Sequence, residues 1–311
     1  MNILFYCEGD DGSMLQALKE RLTDHTIYDW NTQSFDKSGI EAAIVWLPPA
    51  QFFDGLGNLK TVFALAAGVD QILENPELPP DVLVVRLQDA GMSVQMEEYV
   101  LYGVLHAQRH FHEFRSAQLQ RQWIHGAGVR PAADFNVGLL GAGALGIQVA
   151  RRLKANGYAV SCWTRTARTL PEGISGYSGK PQLDSFLSKQ SVLVCLLPLT
   201  EDTRGILDKT LLDRLPKGAF LINVARGAHL VEEDLLTSLD TGQLSGAMLD
   251  VFQTEPLPQT HPFWVHPRIT VTPHEAANSL ADESVLQILF SIRLLENGQL
   301  PPGAVDRMRG Y

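Results

Sequence analysis

The 311 residues are enough for about two domains and a sizeable buried core. Hydrophobic residues at 45% and charged residues at 19% exclude a wholly disordered chain. With 35 acidic against 25 basic residues the net charge is −10, the wrong sign for a nucleic-acid binder or for docking on anionic membranes. A small anionic substrate remains compatible, because a few local cations can hold one.

The chain opens with an apolar, uncharged run, Met1 to Cys7, that meets Glu8, Asp10 and Asp11, unlike the basic start and longer apolar run of a signal peptide. No stretch reaches the ~18 apolar residues of a membrane span. Residues 137–147 and 192–199 come nearest, and glycines or Pro198 interrupt them. Cys7, Cys162 and Cys195 lie in strand-like runs without CxxC spacing and read as reduced, buried, small hydrophobes. A cytoplasmic protein with no membrane or nucleic-acid partner is the expectation.

Short apolar runs at 3–7, 27–30, 43–47, 61–66 and 82–87 predict strands. A helix is predicted over 13–22, with Leu15, Leu18 and Leu22 at helical spacing behind a Ser13 cap. One long helix is expected over 95–115, with Tyr99, Leu101, Tyr102 and Leu105 on a broad apolar face, followed by an extended arm over 118–133 that contains Trp123, Gly126, Gly128 and Pro131. A second alternation runs from 135–140 to 268–272, with 164–180 read as a polar loop. A final helix over 281–297 carries Val285, Ile288, Leu289 and Ile292 on one face and stops at Gly298. Strands alternating with helices imply parallel sheets. The predicted fold is α/β, two doubly wound parallel-sheet domains: 1–94 plus 281–311 for substrate, and 95–280 for a dinucleotide.

The run 135–140 reads as a buried strand, and Gly141-Ala142-Gly143-Ala144-Leu145-Gly146 follows it and opens a helix. This is G-x-G-x-x-G in the strand–turn–helix setting that dinucleotide binding needs. Gly141 permits the tight turn, Gly143 lets the backbone approach a pyrophosphate, and Gly146 lets helix and strand pack closely. The helix start supplies N–H groups and positive dipole to the anion, so Ala144 and Leu145 join the cofactor set. Leu197 and Pro198, at the end of the run 192–199, are counted with them. The next strand, 158–163, ends at Thr164-Arg165-Thr166-Ala167-Arg168, without the acid that would bind an adenine ribose 2′-OH. Arginine suits a 2′-phosphate, so NADPH is the expected cofactor, with NADH as the alternative. Arg165 is the favoured contact and Arg168 is placed nearby.

Three later loops each follow a predicted strand and carry one reactive residue: Arg226 after 219–224, Glu255 after 247–252, and His274 after 269–272. In an open parallel sheet, ligands bind outside the C-terminal strand ends, so the three can converge beside a cofactor. Each has an ordinary alternative. His274 could be a packed or surface histidine, as the other eight are read. Glu255 before Pro256 could be a turn residue, and Arg226 before Gly227 a partner in a surface ion pair. His110 and His112 fall on different helix faces, so no metal pair is expected.

Asn223-Val224-Ala225-Arg226-Gly227, the stretch 249–257, the stretch 272–277 and the Gly141 turn, taken in order, resemble the D-isomer-specific 2-hydroxyacid dehydrogenase family. The resemblance covers almost the whole chain, including Ala66-Ala67-Gly68-Val69-Asp70. Residues 45–49, 162–166 and 305–311 further resemble its short bacterial reductases. It implies a flavodoxin-like substrate domain and a Rossmann domain, with the site in a cleft that closes on the substrate. It also implies hydride transfer to a small 2-oxo acid, glyoxylate or hydroxypyruvate, giving glycolate or D-glycerate. His274 would be the proton donor, Glu255 would fix its tautomer and favour the imidazolium, and Arg226 would hold the substrate carboxylate. Backbone N–H groups of Ala67, Gly68 and Val69 would cradle the carboxylate, and Asp250 would contact the nicotinamide amide. Trp46 either closes the pocket or is an ordinary strand tryptophan. A homodimer is implied, built on the dinucleotide domains and the 99–131 segment. Trp123 either reaches the partner's site or packs within the arm.

The family usually has an apolar residue after the histidine, and this chain has Glu275, which either raises the histidine pKa or faces solvent; solvent is expected. Two alternative functions stay open. Phosphoglycerate oxidation would need extra cations and a regulatory extension, neither of which is evident. A dinucleotide-sensing, corepressor-like binding protein could share every motif.

Overall fold

The computed structural model describes every residue except 33, 126, 127, 129 and 308–311. Gly126 of the expected arm and 308–311 of the tail motif therefore lie outside the described residues. The chain divides into two compact units, Met1–Met92 with Ser279–Tyr311, and Ser93–Asn278.

The first unit opens with β1 (Asn2–Cys7), α1 (Ser13–Arg21), β2 (Thr26–Asp29), β3 (Ala42–Trp46), β4 (Thr61–Ala64), the single turn α2 (Asp70–Leu73) and β5 (Leu83–Arg86). Its sheet runs β2-β1-β3-β4-β5, every pair parallel, the doubly wound flavodoxin-like order. Parallel strands covered on both faces read as continuous apolar runs, and Ala42, Ala43, Ile44 and Val45 are all 0% exposed. Ser13 does not cap α1. Gly12 holds the cap position, and Asp10 and Asp11 accept the free N–H groups of residues 13 to 15, which two carboxylates do better than one hydroxyl.

The second unit contains α3 (Met92–Gln108), α4 (Phe111–Leu119), β6 (Asn136–Leu140), α5 (Ala144–Ala155), β7 (Ala159–Thr164), β8 (Ser175–Ser178), α6 (Gly179–Leu187), β9 (Val192–Cys195), α7 (Lys209–Leu212), β10 (Ala219–Asn223), α8 (Glu232–Asp240), β11 (Leu244–Leu249) and β12 (Ile269–Val271). The parallel sheet runs β12-β11-β10-β9-β6-β7-β8, so the order reverses between β6 and β9, where such folds bind ligands. Alternation along the strands builds two cores. Val137, Leu139, Val194 and Ile222 face α3 and α5 with Val104, Val149 and Leu153; Leu140, Leu193, Leu221 and Leu249 face the other layer with Leu235 and Leu239. The chain then returns to the first unit with α9 (Ala281–Glu296). Among the described residues no helix is long and apolar enough to cross a membrane.

Three further sequence expectations change. The long helix over 95–115 is two helices, because His110 turns left-handed (φ 56°) and ends α3. The turn sets the buried His112 ring 5.6 Å from Phe220 of β10, where His106 also packs, 6.0 Å from the same ring. The loop 164–180 contains the edge strand β8, paired with β7 from Ser161↔Ser175 to Thr164↔Ser178. Cys7 is only half-buried, whereas Cys162 and Cys195 are fully buried.

After α9 the chain pairs back along β5: Arg86 N–H donates to Gly303 O (2.9 Å) and Val305 N–H to Val84 O (2.9 Å). A methyl at Gly303 would collide with the Arg86 carbonyl. Gly303→Ala should therefore cost about 1–3 kcal/mol. The measurement is a lower urea midpoint at unchanged slope; an unchanged midpoint would show that the contact is slack.

Candidate active site

The glycine turn leaves the buried strand β6 at the point of strand-order reversal. Gly141 has φ 104°, and a Cβ there would stand 2.7 Å from Leu196 O, in the chain leaving β9. A Cβ at Gly146 would stand 2.6 Å from Gly141 O. Packing thus demands both glycines. Gly143 differs: a Cβ there would meet nothing within 4 Å, so its outer side is open. The exposed Gly143 and Ala144, the half-buried Leu145 and the buried Gly146 start α5, whose first-turn N–H groups have no acceptor inside the helix. Leu197 is buried and Pro198 half-buried on the neighbouring β9 loop.

The loop after β7 carries the cations. Thr164 Oγ1 donates to Thr166 O (2.9 Å), tightening the bend. Arg165 and Thr166 are exposed. Arg168 reaches back to donate to the Ala142 carbonyl inside the glycine turn, so it is part of this site and not merely near it.

Three further loops are stitched together at the ends of β10, β11 and β12. Asn223, 0% exposed, donates from Nδ2 to Arg226 O (3.0 Å) and accepts Ala225 N–H at Oδ1 (3.2 Å), folding the Arg226 loop on itself. Its carbonyl takes the Asp250 N–H (3.0 Å). A Cβ at Gly227 would collide with the Phe252 backbone, so only glycine lets the Arg226 loop lie against the loop of Glu255. Glu255 Oε1 accepts the Phe252 N–H (2.8 Å), and Oε2 meets His274 Nδ1 at 2.7 Å.

His274 adopts a left-handed backbone (φ 60°), uncommon for a residue with a side chain. Its N–H is held by Asp250 O (2.8 Å) and Thr272 O (3.1 Å). Asp250 itself is 1% exposed, and both of its carboxylate oxygens are engaged by the chain. Oδ1 accepts from Thr272 Oγ1 (2.6 Å) and Glu275 N–H (2.9 Å), and Oδ2 accepts Ala276 N–H (2.9 Å). The Glu275 side chain is exposed and accepts from Asn278 Nδ2 (2.7 Å).

The His274–Glu255 contact shifts both groups toward their charged forms. The hydrogen bond to Glu255 lifts the His274 pKa above the ordinary histidine value; burial opposes the rise, the Glu255 charge adds to it, and Arg226 opposes it. For Glu255, burial pushes the carboxyl up, but the hydrogen bonds from His274 and the Phe252 N–H outweigh it, and the pKa ends below the usual carboxylate range.

In the first unit, Trp46 is half-buried at the end of β3; Ala67 and Gly68 are half-buried and Val69 buried just past β4. Val69 caps α2, and Ala67 O accepts from Arg86 Nη1 (3.3 Å). Sequence reasoning passed over His229, which is 0% exposed. Its Nδ1 lies against the Arg226 N–H (3.2 Å) and the Arg226 carbonyl (3.1 Å), and its Nε2 faces Pro198 O (3.3 Å). Its place three residues after Arg226 was the available signal. Among the described residues no group of three or more His, Cys, Asp and Glu side chains could hold a metal ion.

Comparison with known proteins accords with this geometry. The sequence model described as "D-isomer specific 2-hydroxyacid dehydrogenase, NAD binding domain" matches residues 101–276. A glyoxylate/hydroxypyruvate reductase A from Serratia proteamaculans is 45% identical, with both chains covered in full. A D-isomer specific 2-hydroxyacid dehydrogenase from Xanthobacter autotrophicus, solved with NADPH and MES, superposes with a TM-score of 0.93 at 38% identity, covering 100% of this chain and 99% of that one. An NADPH-dependent glyoxylate/hydroxypyruvate reductase from Sinorhizobium meliloti, solved with NADP and sulfate, gives 0.93 at 35% identity with the same coverage. The chain belongs to the D-isomer specific 2-hydroxyacid dehydrogenase family.

Proposed function

We propose that this protein reduces small 2-oxo acids with NADPH, taking glyoxylate to glycolate and hydroxypyruvate to D-glycerate. The observation that carries the proposal is the 2.7 Å His274–Glu255 contact, which favours the protonated imidazole on the same sheet edge as Arg226 and the glycine turn. The names and ligands of the Serratia, Xanthobacter and Sinorhizobium relatives support it.

The residues present fit the cofactor. Gly143 is open, α5 offers its N-terminal N–H groups, and two arginines with no acid follow β7. In this proposal Gly141, Gly143, Ala144, Leu145 and Gly146 hold the pyrophosphate, Thr164, Arg165, Thr166 and Arg168 the 2′-phosphate, and Leu197 and Pro198 flank the remainder. Bound there, NADPH supplies the hydride that the 2-oxo carbon accepts.

His274 gives its Nε2 proton to the carbonyl oxygen as that oxygen becomes a hydroxyl, while Nδ1–H stays on Glu255. Arg226 holds the substrate carboxylate and stabilises negative charge growing on the oxygen. The carboxylate is shared with the N–H groups of Ala67, Gly68 and Val69, and Trp46 limits the side chain admitted. Asp250 orders the loop of His274, and any contact with the nicotinamide amide comes on top of the bonds it already makes. The first unit serves as substrate domain and the second as dinucleotide domain. A cytoplasmic homodimer completes the proposal, with exposed Phe111 (48%), Leu119 (77%) and Trp123 (91%) as its face. In it Trp123 reaches toward the partner's site.

Glyoxylate should drive loss of NADPH absorbance, and His274→Asn should slow it at least ~100-fold. NADPH binding without turnover on any 2-oxo acid would overturn the proposal in favour of a dinucleotide sensor. The reaction consumes the His274 proton, so the rate should hold at low pH and fall as pH rises through a value above the ordinary ~6.5. Glu255→Gln removes the group that lifts this pKa and should move the alkaline limb to lower pH; an unmoved limb would contradict the role of Glu255. Arg165→Asp and Arg168→Ala should each raise KM for NADPH far more than for NADH, and equal small effects would contradict the 2′-phosphate assignment.

A further inference from the structure

We propose that Gln95 and Tyr99 of α3 are positioning residues that pin both ends of the loop 272–278 and so hold His274 in its proton-donating conformation. The proposal rests on His274 being the proton donor. The two residues are four apart and lie on one face of the 17-residue α3, which Val100 and Val104, both 0% exposed, anchor in the core.

At one end of the loop, Tyr99 OH stands 2.5 Å from Thr272 Oγ1. The Thr272 hydroxyl spends its one proton on Asp250 Oδ1 (2.6 Å), so Tyr99 must be the donor and Thr272 the acceptor. A tyrosine phenol is protonated at neutral pH, and burial raises the Tyr99 pKa further, so that donor is present. At the other end, the Gln95 side-chain amide closes a two-point bond on the Asn278 backbone, donating from Nε2 to O (2.8 Å) and accepting N–H at Oε1 (3.2 Å). Between these anchors Asp250 takes the N–H groups of His274, Glu275 and Ala276. The loop is thus clamped from two sides, by the end of β11 and by α3. His274 sits inside the clamp with a left-handed backbone that a free loop would relax. Proton transfer is sensitive to misplacement of this kind, because a shift of about 1 Å can cost a hundredfold in rate.

Tyr99→Phe removes one oxygen and keeps the ring; Thr272→Val keeps the shape and removes the relay. Each should lower kcat for glyoxylate reduction by about ten- to a hundredfold, with KM for NADPH changed less than about twofold. Each should also move the alkaline limb of the pH profile to lower pH as the His274–Glu255 contact loosens. Thr272→Ser should recover most of what Thr272→Val loses, and the double variant should be no worse than the poorer single one. Tyr102→Phe, the same deletion on an exposed side chain of α3, is the control. An unchanged kcat and pH limb in Tyr99→Phe, or losses that multiply in the double variant, would overturn the proposal. If the wild type fails to turn over or His274→Asn stays active, the functional proposal fails instead. The clamp is then read from hydrogen exchange at the Glu275 and Ala276 amides, which should quicken in Tyr99→Phe and not in Tyr102→Phe; unchanged exchange in both would overturn it.

Discussion

His274 Nδ1 and Glu255 Oε2 stand 2.7 Å apart although 19 residues separate them in the chain, and much of the second unit exists to keep that distance. The sheet brings the ends of β10, β11 and β12 side by side. Gly227 lets the first two loops touch, Asn223 ties the Arg226 loop to the start of the next, and Asp250 ties that one to the loop of His274. None of these buried groups is a free donor or acceptor, as a buried polar network requires. The electrostatic result is one-directional: Glu255 stays ionised below the usual carboxylate range and His274 is pushed toward its charged form.

In the proposed function the same sheet edge would hold two anions with different devices. At the β6 end the device is backbone, with glycines demanded by packing on one side and open on the other. At the β7 and β10 ends it is arginines placed in an otherwise acidic chain. A net charge of −10 repels anions at long range, so local guanidinium groups can select where an anion settles. His229, buried between Arg226 and Pro198, ties the Arg226 loop to the loop after β9.

Much of this was legible in the sequence. Parallel strands buried on both faces write themselves as continuous apolar runs, so β3, β6, β9 and β10 are plain. Arg226, Glu255 and His274 each follow such a strand, and the glycine turn lies between a strand and a helix. What was not legible depends on partners distant in the chain. β8 is Ser-Gly-Tyr-Ser, with no β-branched residue, and is a strand only because β7 pairs with it. The break at His110 has no glycine or proline to mark it; beyond it His112 packs against Phe220, more than a hundred residues on. Tyr99 read as one of several apolar residues on a helix face, and only the fold shows its hydroxyl against Thr272. Asp250 matched a motif for a ligand contact, and the fold adds that its carboxylate holds the loop of His274.

Glu255 raises the affinity of His274 for its proton, which the proposed proton transfer requires. An NMR titration of the His274 imidazole, assigned by its absence in His274→Asn, tests it most directly. The imidazole should titrate above the ordinary ~6.5. A value at or below 6.5 would contradict it.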